Sequence, residues 1–224
     1  NRGTWMKRAE KKILTLETRR RELSIATLES IRKHGYMNST INTISEESGL
    51  SRGLISHYFK NKDDLILFAF RYLTELLENF HRQVVRSWGT SHFDKLLAAS
   101  MVTFLKNEPY REVWLHFWSA SLIQPEFAEV RAALYTRYRT SIARRITAVA
   151  EERGLKIDVE STMLIFTQLI DGLWLGLVLE KAYDDTRCRE LMRDWLCEVF
   201  KEDPAKHPTT PPFDLAELQS QLAF

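Results

Sequence analysis

Apolar residues recur at helical spacing along most of the chain, and no stretch alternates apolar and polar residues for long enough to predict a strand. Pro109 and Pro125 fit first-turn positions of helices, and Gly35 and Gly154 fit helix ends. The pattern predicts helices at about 18–35, 61–88, 92–106, 109–122, 125–153, 159–182 and 186–202, besides two shorter ones described next. We therefore predict an all-α fold.

Residues 40–59 carry two short helical patterns, with apolar positions at Ile41, Ile44, Leu50, Ile55 and Phe59. The patterns are interrupted at position 49 by a glycine, the residue that best tolerates the positive φ of a sharp turn. A threonine at position 40 and a serine at position 51 provide an N-cap for each helix. This arrangement predicts a helix-turn-helix.

In a DNA-binding unit of this kind, the first residues of the second helix meet base edges in the major groove. The residues predicted to contact DNA comprise the two caps, the start of the second helix and three polar residues around its exit: Thr40, Ser51, Arg52, Gly53, Ser56, His57, Tyr58 and Lys62. Tyr58 and Lys62 fit phosphate contacts better than base contacts. The alternative is an ordinary helical hairpin with a solvated polar face.

The run from Thr40 to Leu65, which ends in His-Tyr-Phe-Lys-Asn-Lys-Asp-Asp-Leu, resembles the DNA-binding domain of the TetR family of transcriptional repressors. The resemblance covers residues 19–67 and implies a three-helix DNA-binding domain followed by a larger helical domain for ligand binding and dimerisation. Ser45 and Ser48 stand where alanine is usual in the family. Both residues are small, so we expect the packing to survive.

The chain has 224 residues, of which 44% are apolar and 28% charged, as in an ordinary globular protein. Residues 1–60 hold 12 Lys and Arg against 6 Asp and Glu, although the whole chain has a net charge of only +2. A basic front end is the electrostatic footprint of a phosphate-binding domain. Residues 1–18 either extend the first helix, form a basic arm or remain a solvated tail. They contain no signal-peptide core, so we expect a cytoplasmic protein.

Residues 161–179 are apolar enough to raise the question of a membrane span, but Asp171 stands near the middle. A charge there is costly in lipid, so we expect no membrane insertion. An almost wholly apolar helix is otherwise buried on several sides, and we expect a second subunit to cover it. Cys188 and Cys197, the two cysteines of the chain, stand too far apart on one helix to form a disulfide. We expect no metal site and no cofactor.

Three large aromatic residues, Trp114, Phe117 and Trp118, fall on one helix face, with Tyr110 one turn earlier. Such a stripe is either core or an aromatic box for a quaternary ammonium, whose charge is attracted to ring faces. Trp174 would add a further wall and Asp171 a counter-charge. The candidate ligand-binding residues are therefore Tyr110, Trp114, Phe117, Trp118, Asp171 and Trp174.

The sequences at 53–59, 114–125 and 170–175 resemble the choline-responsive repressor branch of the TetR family. This resemblance implies a homodimer on a palindromic operator, released by a choline-like cation, that represses genes for choline uptake and oxidation to glycine betaine. The predicted parts are a basic extension (1–18), the DNA-binding domain (19–67), the ligand-binding and dimerisation domain (68–203) and a Pro-rich tail (204–224). The tail is predicted to be a linker with a short docking helix.

Three alternatives remain. A TetR-type regulator could serve another small molecule or pathway, and a helical adaptor would bind protein instead of DNA. An enzyme is not expected, because the six histidines are scattered and no nucleophile-elbow or phosphate-loop motif accompanies them.

Overall fold

Every regular element in the computed structural model is helical over the residues that the structure describes, 2–105 and 110–221. Side chains are described from residue 15 to 105 and from 110 to 218. The α-helices are α1 (Arg2–Asn38), α2 (Ile41–Ser48), α3 (Arg52–Tyr58), α4 (Lys62–Trp88), α5 (His92–Met101), α6 (Val113–Ala120), α7 (Pro125–Arg153), α8 (Val159–Leu179), α9 (Asp185–Phe200) and α10 (Leu215–Gln221). Short 3-10 helices follow α5 at Val102–Phe104 and α9 at Pro204–Lys206. The predicted all-α class is confirmed.

The chain divides into two compact units. Unit 1 comprises Asn1–Glu75 and Tyr110–Arg131, and unit 2 comprises Leu76–Pro109 and Ala132–Phe224. Unit 1 therefore contains the predicted DNA-binding segment and also α6. The domain boundaries at residues 19, 68 and 204 stay predictions.

The helix-turn-helix of unit 1 is built on a small apolar core. Its buried members come from α1 to α4 and from the residue that follows α3, and they are Leu23, Ala26, Ile44, Ile55, Phe59 and Leu65. Ile41 and Leu50 pack against this cluster as partly buried residues. All five apolar positions of the sequence pattern thus lie in or against one core, which fixes α2 and α3 on α1.

Helix α1 begins at Arg2, so the basic extension continues the first helix along its backbone. The side chains of Lys7, Arg8, Lys11 and Lys12 lie outside the described residues. Near its other end the helix is kinked at Gly35, which has φ of 77° and ψ of 165°. A side chain at this φ would be strained, so glycine is the residue suited to the break, which lies where the sequence predicts a helix end.

Helix α6 is shorter than predicted at both ends. Residues 110–112 form a turn before Val113, and Pro109 lies outside the described residues. The far end closes in a turn where the Ser121 hydroxyl donates a 2.7 Å hydrogen bond to the Trp118 carbonyl. Helix α5 likewise ends before its predicted boundary and gives way to the 3-10 turn at Val102. The predicted boundaries of α7 are confirmed at Pro125 and Arg153, and Gly154 follows with φ of 62°.

Helix α8 is long and apolar enough to cross a membrane by length and composition, yet only 33% of its most apolar window is buried within the chain. Its exposed apolar side chains include Leu164, Ile165 and Leu179, and α9 adds Leu191. Exposed apolar surface on two neighbouring helices is typical of a surface that a binding partner buries. On α9, Cys188 and Cys197 are buried free thiols.

The described residues after Asp203 pack within unit 2 and include the short helix α10. Arg189 on α9 donates hydrogen bonds to the Thr209 carbonyl at 3.1 Å and to the Phe104 carbonyl at 2.6 Å. The His207 ring lies 4.6 Å from the Phe93 ring, and Phe213 meets Trp88 edge-on at 6.1 Å. These contacts attach the Pro-rich segment to α4, α5 and α9.

Tyr183, in the connection after α8, occupies space that glycine leaves at position 176. Its hydroxyl donates a 3.2 Å hydrogen bond to the Leu173 carbonyl, and a Cβ at position 176 would overlap that hydroxyl. Gly176→Ala should therefore destabilise the protein by about 1 kcal/mol through the displaced tyrosine. In a Tyr183→Ala background the same change should stabilise it by about 0.5–1 kcal/mol, because alanine favours helix. Urea unfolding of the four proteins checks this reversal, and one sign in both backgrounds would contradict it.

Candidate functional site

The two helices of the helix-turn-helix, α2 and α3, begin with the caps that the sequence predicts. The Thr40 hydroxyl accepts a 3.2 Å hydrogen bond from the Thr43 amide, and the Thr43 hydroxyl accepts one of 2.9 Å from the Thr40 amide. The Ser51 hydroxyl accepts a 3.2 Å bond from the Leu54 amide. Gly49 between the helices has φ of 67°. These bonds fix the starts of α2 and α3, the two helix ends expected nearest to DNA.

The polar residues at the start of α3 lie on its solvent face. Arg52, Gly53, Ser56 and His57 are exposed, whereas Ile55 is fully buried and holds the opposite face on the core. No described atom outside the helix's own backbone and Gly53's chain neighbours lies within 4 Å of the place where a Gly53 Cβ would stand. Packing against the described residues therefore gives no reason for a glycine at position 53.

Asn42 on α2 accepts a hydrogen bond from Arg52 on α3, with 3.3 Å between Oδ1 and Nη1. Both residues are exposed. Asn42 is not among the residues predicted from the sequence to contact DNA. The feature of the sequence that points to Asn42 is its place at the second position of α2, on the same solvent side as the exposed α3 residues. Asn42 restrains the side chain best suited to read guanine or hold a phosphate.

Ser45 and Ser48, the two departures from the usual family pattern, bind the turn between α2 and α3. The Ser45 hydroxyl donates to the Leu50 carbonyl at 2.5 Å, and the Ser48 hydroxyl accepts from the Leu50 amide at 3.2 Å. Both polar groups of the Leu50 backbone are thereby satisfied by side chains that alanine cannot replace. The expected packing survives, and the serines also hold the turn.

Ser45→Ala should lower the free energy of unfolding by about 0.5–1 kcal/mol. The lost hydrogen bond costs about 1 kcal/mol, and the better helix propensity of alanine offsets part of this. Urea unfolding measures the difference. Ser56→Ala, on the exposed face of α3, serves as the matched control and should change stability by less. Equal stability of Ser45→Ala and the parent protein would contradict a role for this hydroxyl in the turn.

Helix α4 begins with the predicted Asn61 and Asp64 pair. Asn61 Oδ1 accepts a 2.8 Å hydrogen bond from the Asp64 amide, and the Asp64 carboxylate accepts one of 3.2 Å from the Lys60 amide. Lys62 stands at the first position of this helix and is half-buried. A cation there opposes the helix dipole, which the carboxylates of Asp63 and Asp64 offset.

The aromatic stripe of α6 packs within unit 1. Phe117 is fully buried, and its ring stacks on Phe70 at 4.1 Å, while Trp114 meets the same phenylalanine edge-on at 5.6 Å. Trp118 is half-buried. Phe117 thus forms part of the core, the structural reading that the sequence leaves open.

Tyr110 lies in the turn before α6 and is buried against Glu29 of α1. Burial, followed by the charge of Glu29 and a hydrogen bond to it, raises the pKa of Tyr110 to about 12. Glu29 also accepts a 2.7 Å bond from Arg32. The Tyr110 phenol is therefore neutral and is held by α1.

A second cluster lies in unit 2 around Asp171 of α8. Its carboxylate accepts a 3.0 Å hydrogen bond from the Tyr135 hydroxyl of α7. Burial and the Asp171 charge raise the pKa of Tyr138, three residues farther along α7. Trp174, one turn from Asp171, is buried. The cluster thus combines one carboxylate with three aromatic side chains.

Asp171 and Trp174 were predicted from the sequence, but Tyr135 and Tyr138 were not. Their spacing of three residues places Tyr135 and Tyr138 on one face of α7, which was the available signal. Nothing in the sequence pairs that face with α8. The guanidinium of Arg139 already lies 5.5 Å from the Tyr135 ring centroid, so this ring accepts a cation within the chain. Within the described residues, no group of three His, Cys, Asp or Glu side chains is placed to hold a metal ion.

Comparison with known proteins matches both parts of the chain to families. Residues 25–68 match the bacterial regulatory proteins of the tetR family, and residues 92–201 match the C-terminal domain of BetI-type transcriptional repressors. The regulator BetI 1 of Chromohalobacter salexigens is 30% identical over 203 residues, which cover 85% of this chain and 95% of the relative. The chain belongs to the TetR family. It is a BetI-type transcriptional repressor.

Other relatives agree with the TetR assignment. BetI of Escherichia coli K12 is 28% identical over 193 residues, covering 83% of this chain and 95% of the relative. A transcriptional regulator from Pseudomonas aeruginosa PAO1 has the same fold, with a TM-score of 0.72, 24% identity and coverage of 86% and 95%. A regulator from Saccharomonospora viridis, solved in complex with choline, has a TM-score of 0.73, 22% identity and coverage of 80% and 96%. TetR-family regulators bind operator DNA, dimerise and respond to small-molecule effectors.

Proposed function

We propose that this TetR-family repressor is a homodimer that leaves its operator when a choline-like cation binds beside Asp171. The proposal rests on the Asp171–Tyr135 pair within a chain whose C-terminal domain is BetI-type.

The reading surface is formed by the start of α3. Arg52, Ser56 and His57 are exposed and meet base edges, and Gly53 lets the duplex backbone approach closely. Around them, Thr40, Ser51, Tyr58 and Lys62 contact phosphates. The open space beside Gly53 supports this proposal, because no contact with the described residues requires a residue without Cβ there.

The dimer forms through α8 and α9. Their exposed apolar residues, among them Ile165 and Leu191, supply a surface that a second copy buries. Two helices from each chain then form a four-helix interface with two-fold symmetry. A symmetric pair of α3 helices matches a palindromic operator. The place of action is the cytoplasm, where the operator DNA lies.

The effector is a quaternary ammonium. Such a cation cannot donate a hydrogen bond from its charged nitrogen, so it is recognised by a counter-charge and aromatic faces. Asp171 supplies the charge, and Trp174 and Tyr138 supply aromatic surface on α8 and α7. The choline complex of the S. viridis regulator supports this class of ligand. Binding stabilises a conformation with lower operator affinity, and linkage requires the operator to weaken effector binding equally.

The test uses the purified full chain. Repeated selection from a random duplex pool defines the operator, and analytical ultracentrifugation gives the mass of the free and bound protein. Operator affinity is then measured with and without choline chloride, with glycine betaine as a comparison of different charge. We expect a dimer, a palindromic selected sequence and weaker binding with choline. Arg52→Ala should abolish selection while leaving choline affinity unchanged.

Three results would contradict parts of this proposal. Failure to select any duplex rejects the DNA reader and favours a protein-binding adaptor. A monomer at operator-binding concentrations rejects the α8–α9 interface. Operator affinity that choline leaves unchanged, together with choline affinity that operator leaves unchanged, rejects the cation as effector and favours a TetR-type regulator of another small molecule.

A further inference from the structure

Tyr36 lies between the first residue of α4 and the connection before α7. It follows the kink at Gly35, where φ of 77° turns the chain out of the path of α1. Its ring is half-buried and meets Phe127 edge-on at 6.4 Å. All of the residues concerned belong to unit 1. The kink therefore directs one aromatic side chain toward two other segments of the same unit.

The Tyr36 ring receives the ammonium of Lys62, whose Nζ lies 5.8 Å from the ring centroid. This distance is within the range of a cation–π contact. Lys62 is the first residue of α4, where the helix dipole disfavours a cation and where lysine has no local advantage. The ring thus restrains the Lys62 side chain. Local helix energetics do not explain why a lysine stands at the start of α4.

The other side of Tyr36 is held by Gln124. The Gln124 Nε2 donates a 2.9 Å hydrogen bond to the Tyr36 hydroxyl, although the residues are 88 apart in sequence. The Gln124 backbone is itself fixed, because its amide donates to the Ala120 carbonyl at 2.9 Å and its carbonyl accepts from the Ala128 amide at 3.1 Å. Gln124 is therefore a firm attachment point between α6 and α7.

We infer that Tyr36 is a positioning residue for operator binding, whose ring holds the Lys62 ammonium ready for an operator phosphate while Gln124 holds the ring. The inference rests on the phosphate-contacting role proposed for Lys62. It makes Gln124, which belongs to neither reading helix, a determinant of DNA affinity through two side-chain contacts. Burial raises the pKa of Tyr36, so the phenol is neutral and its oxygen is available to Gln124 at physiological pH.

Operator affinity of the full chain tests the inference without any effector. Tyr36→Leu removes ring and hydroxyl, and should weaken binding about two- to fivefold, the range of one exposed cation–π contact. Tyr36→Phe keeps the ring but loses the bond to Gln124, so it should cause a smaller loss, equal to that of Gln124→Ala. In a Lys62→Ala background none of the three changes should weaken binding further. Gln83→Ala removes an amide side chain in unit 2 and serves as the matched control.

The salt dependence distinguishes positioning from general destabilisation. Lys62→Ala should lower the slope of log affinity against log salt by about one, and Tyr36→Leu should lower it in the same direction. Thermal unfolding shows that each variant is folded at the assay temperature. Equal losses in the parent and Lys62→Ala backgrounds, or an unchanged slope in Tyr36→Leu, would overturn the inference.

Proton NMR of Lys62 tests its contact with the Tyr36 ring in the absence of DNA. The Tyr36 ring current should shift the Lys62 Cε protons upfield in the parent protein, and the shift should vanish in Tyr36→Leu and shrink in Gln124→Ala. A random-coil shift in the parent protein would overturn the positioning role. If no duplex is selected, the proposed DNA function fails, whereas this spectrum still shows whether Gln124 and Tyr36 hold Lys62.

Discussion

Asp171→Asn is expected to weaken choline binding by about ten- to hundredfold, since the cation loses its counter-charge in a half-buried site. A cation and a carboxylate about 5 Å apart attract each other by about 1.5–3 kcal/mol at an effective dielectric constant of roughly 20–40, which corresponds to this range of affinities. Asparagine keeps the size of the side chain and can still accept the hydrogen bond that Tyr135 donates at 3.0 Å. Isothermal titration calorimetry of the parent protein and the variant measures the change.

The charge itself is tested with an uncharged analogue. In 3,3-dimethylbutan-1-ol a carbon replaces the choline nitrogen, so the parent protein and Asp171→Asn should bind it equally. Tyr135→Phe keeps the carboxylate charge and should cost choline only a few-fold in affinity, the effect of one lost neutral donor. If Asp171→Asn binds choline as tightly as the parent protein does, the carboxylate is not the counter-charge and the effector site lies elsewhere.

The elements set by local signals could be predicted from the sequence. Thr40 and Ser51 cap helices because hydroxyls satisfy free amides at the next residues, and this chemistry requires no knowledge of distant parts. Pro125 and Gly154 mark the two ends of α7 in the same way, through a fixed φ and a tolerated positive φ. The cap residues and the helical spacing of the apolar residues were therefore enough to predict the fold class and the start of α3.

Contacts between distant residues could not be predicted in this way. Tyr135 and Asp171 are separated by 36 residues, and Tyr36 and Gln124 by 88, so no spacing rule connects them. The start of α6 was predicted at residue 109, but the helix begins at Val113. Tyr110 lies in the preceding turn and is hydrogen-bonded to Glu29 of α1, a contact between distant residues that helical periodicity cannot predict.

The aromatic stripe shows how one pattern can hold two roles. Phe117 and Trp114 have the spacing of an aromatic box, yet both are buried against Phe70 within unit 1. The cluster at Asp171 has no conspicuous aromatic run in the sequence, because its rings come from α7 and α8.

His81 on α4 makes stability depend on pH. Burial, with a further contribution from the charges of Arg145 and Arg82, lowers its pKa to about 4, although a hydrogen bond to the Ala99 backbone opposes the shift. Its Nε2 is enclosed without a hydrogen-bond partner among the described residues. An unfolded histidine has a pKa of about 6.5, so between pH 6.5 and 4 the unfolded chain binds a proton that the folded chain does not. The free energy of unfolding therefore falls as pH falls through this window.

From pH 7 to pH 5, His81 should remove at most about 2 kcal/mol from the free energy of unfolding. His81→Gln should lower stability at pH 7 by disturbing the ring contact with Tyr138, yet it should lose less between pH 7 and 5 than the parent protein. His207, whose pKa burial also lowers, contributes a slope of the same sign to both proteins. Urea unfolding at several pH values gives the difference, with the exposed His92→Gln as control. A parallel pH profile for His81→Gln and the parent protein would show that His81 titrates normally in the folded state.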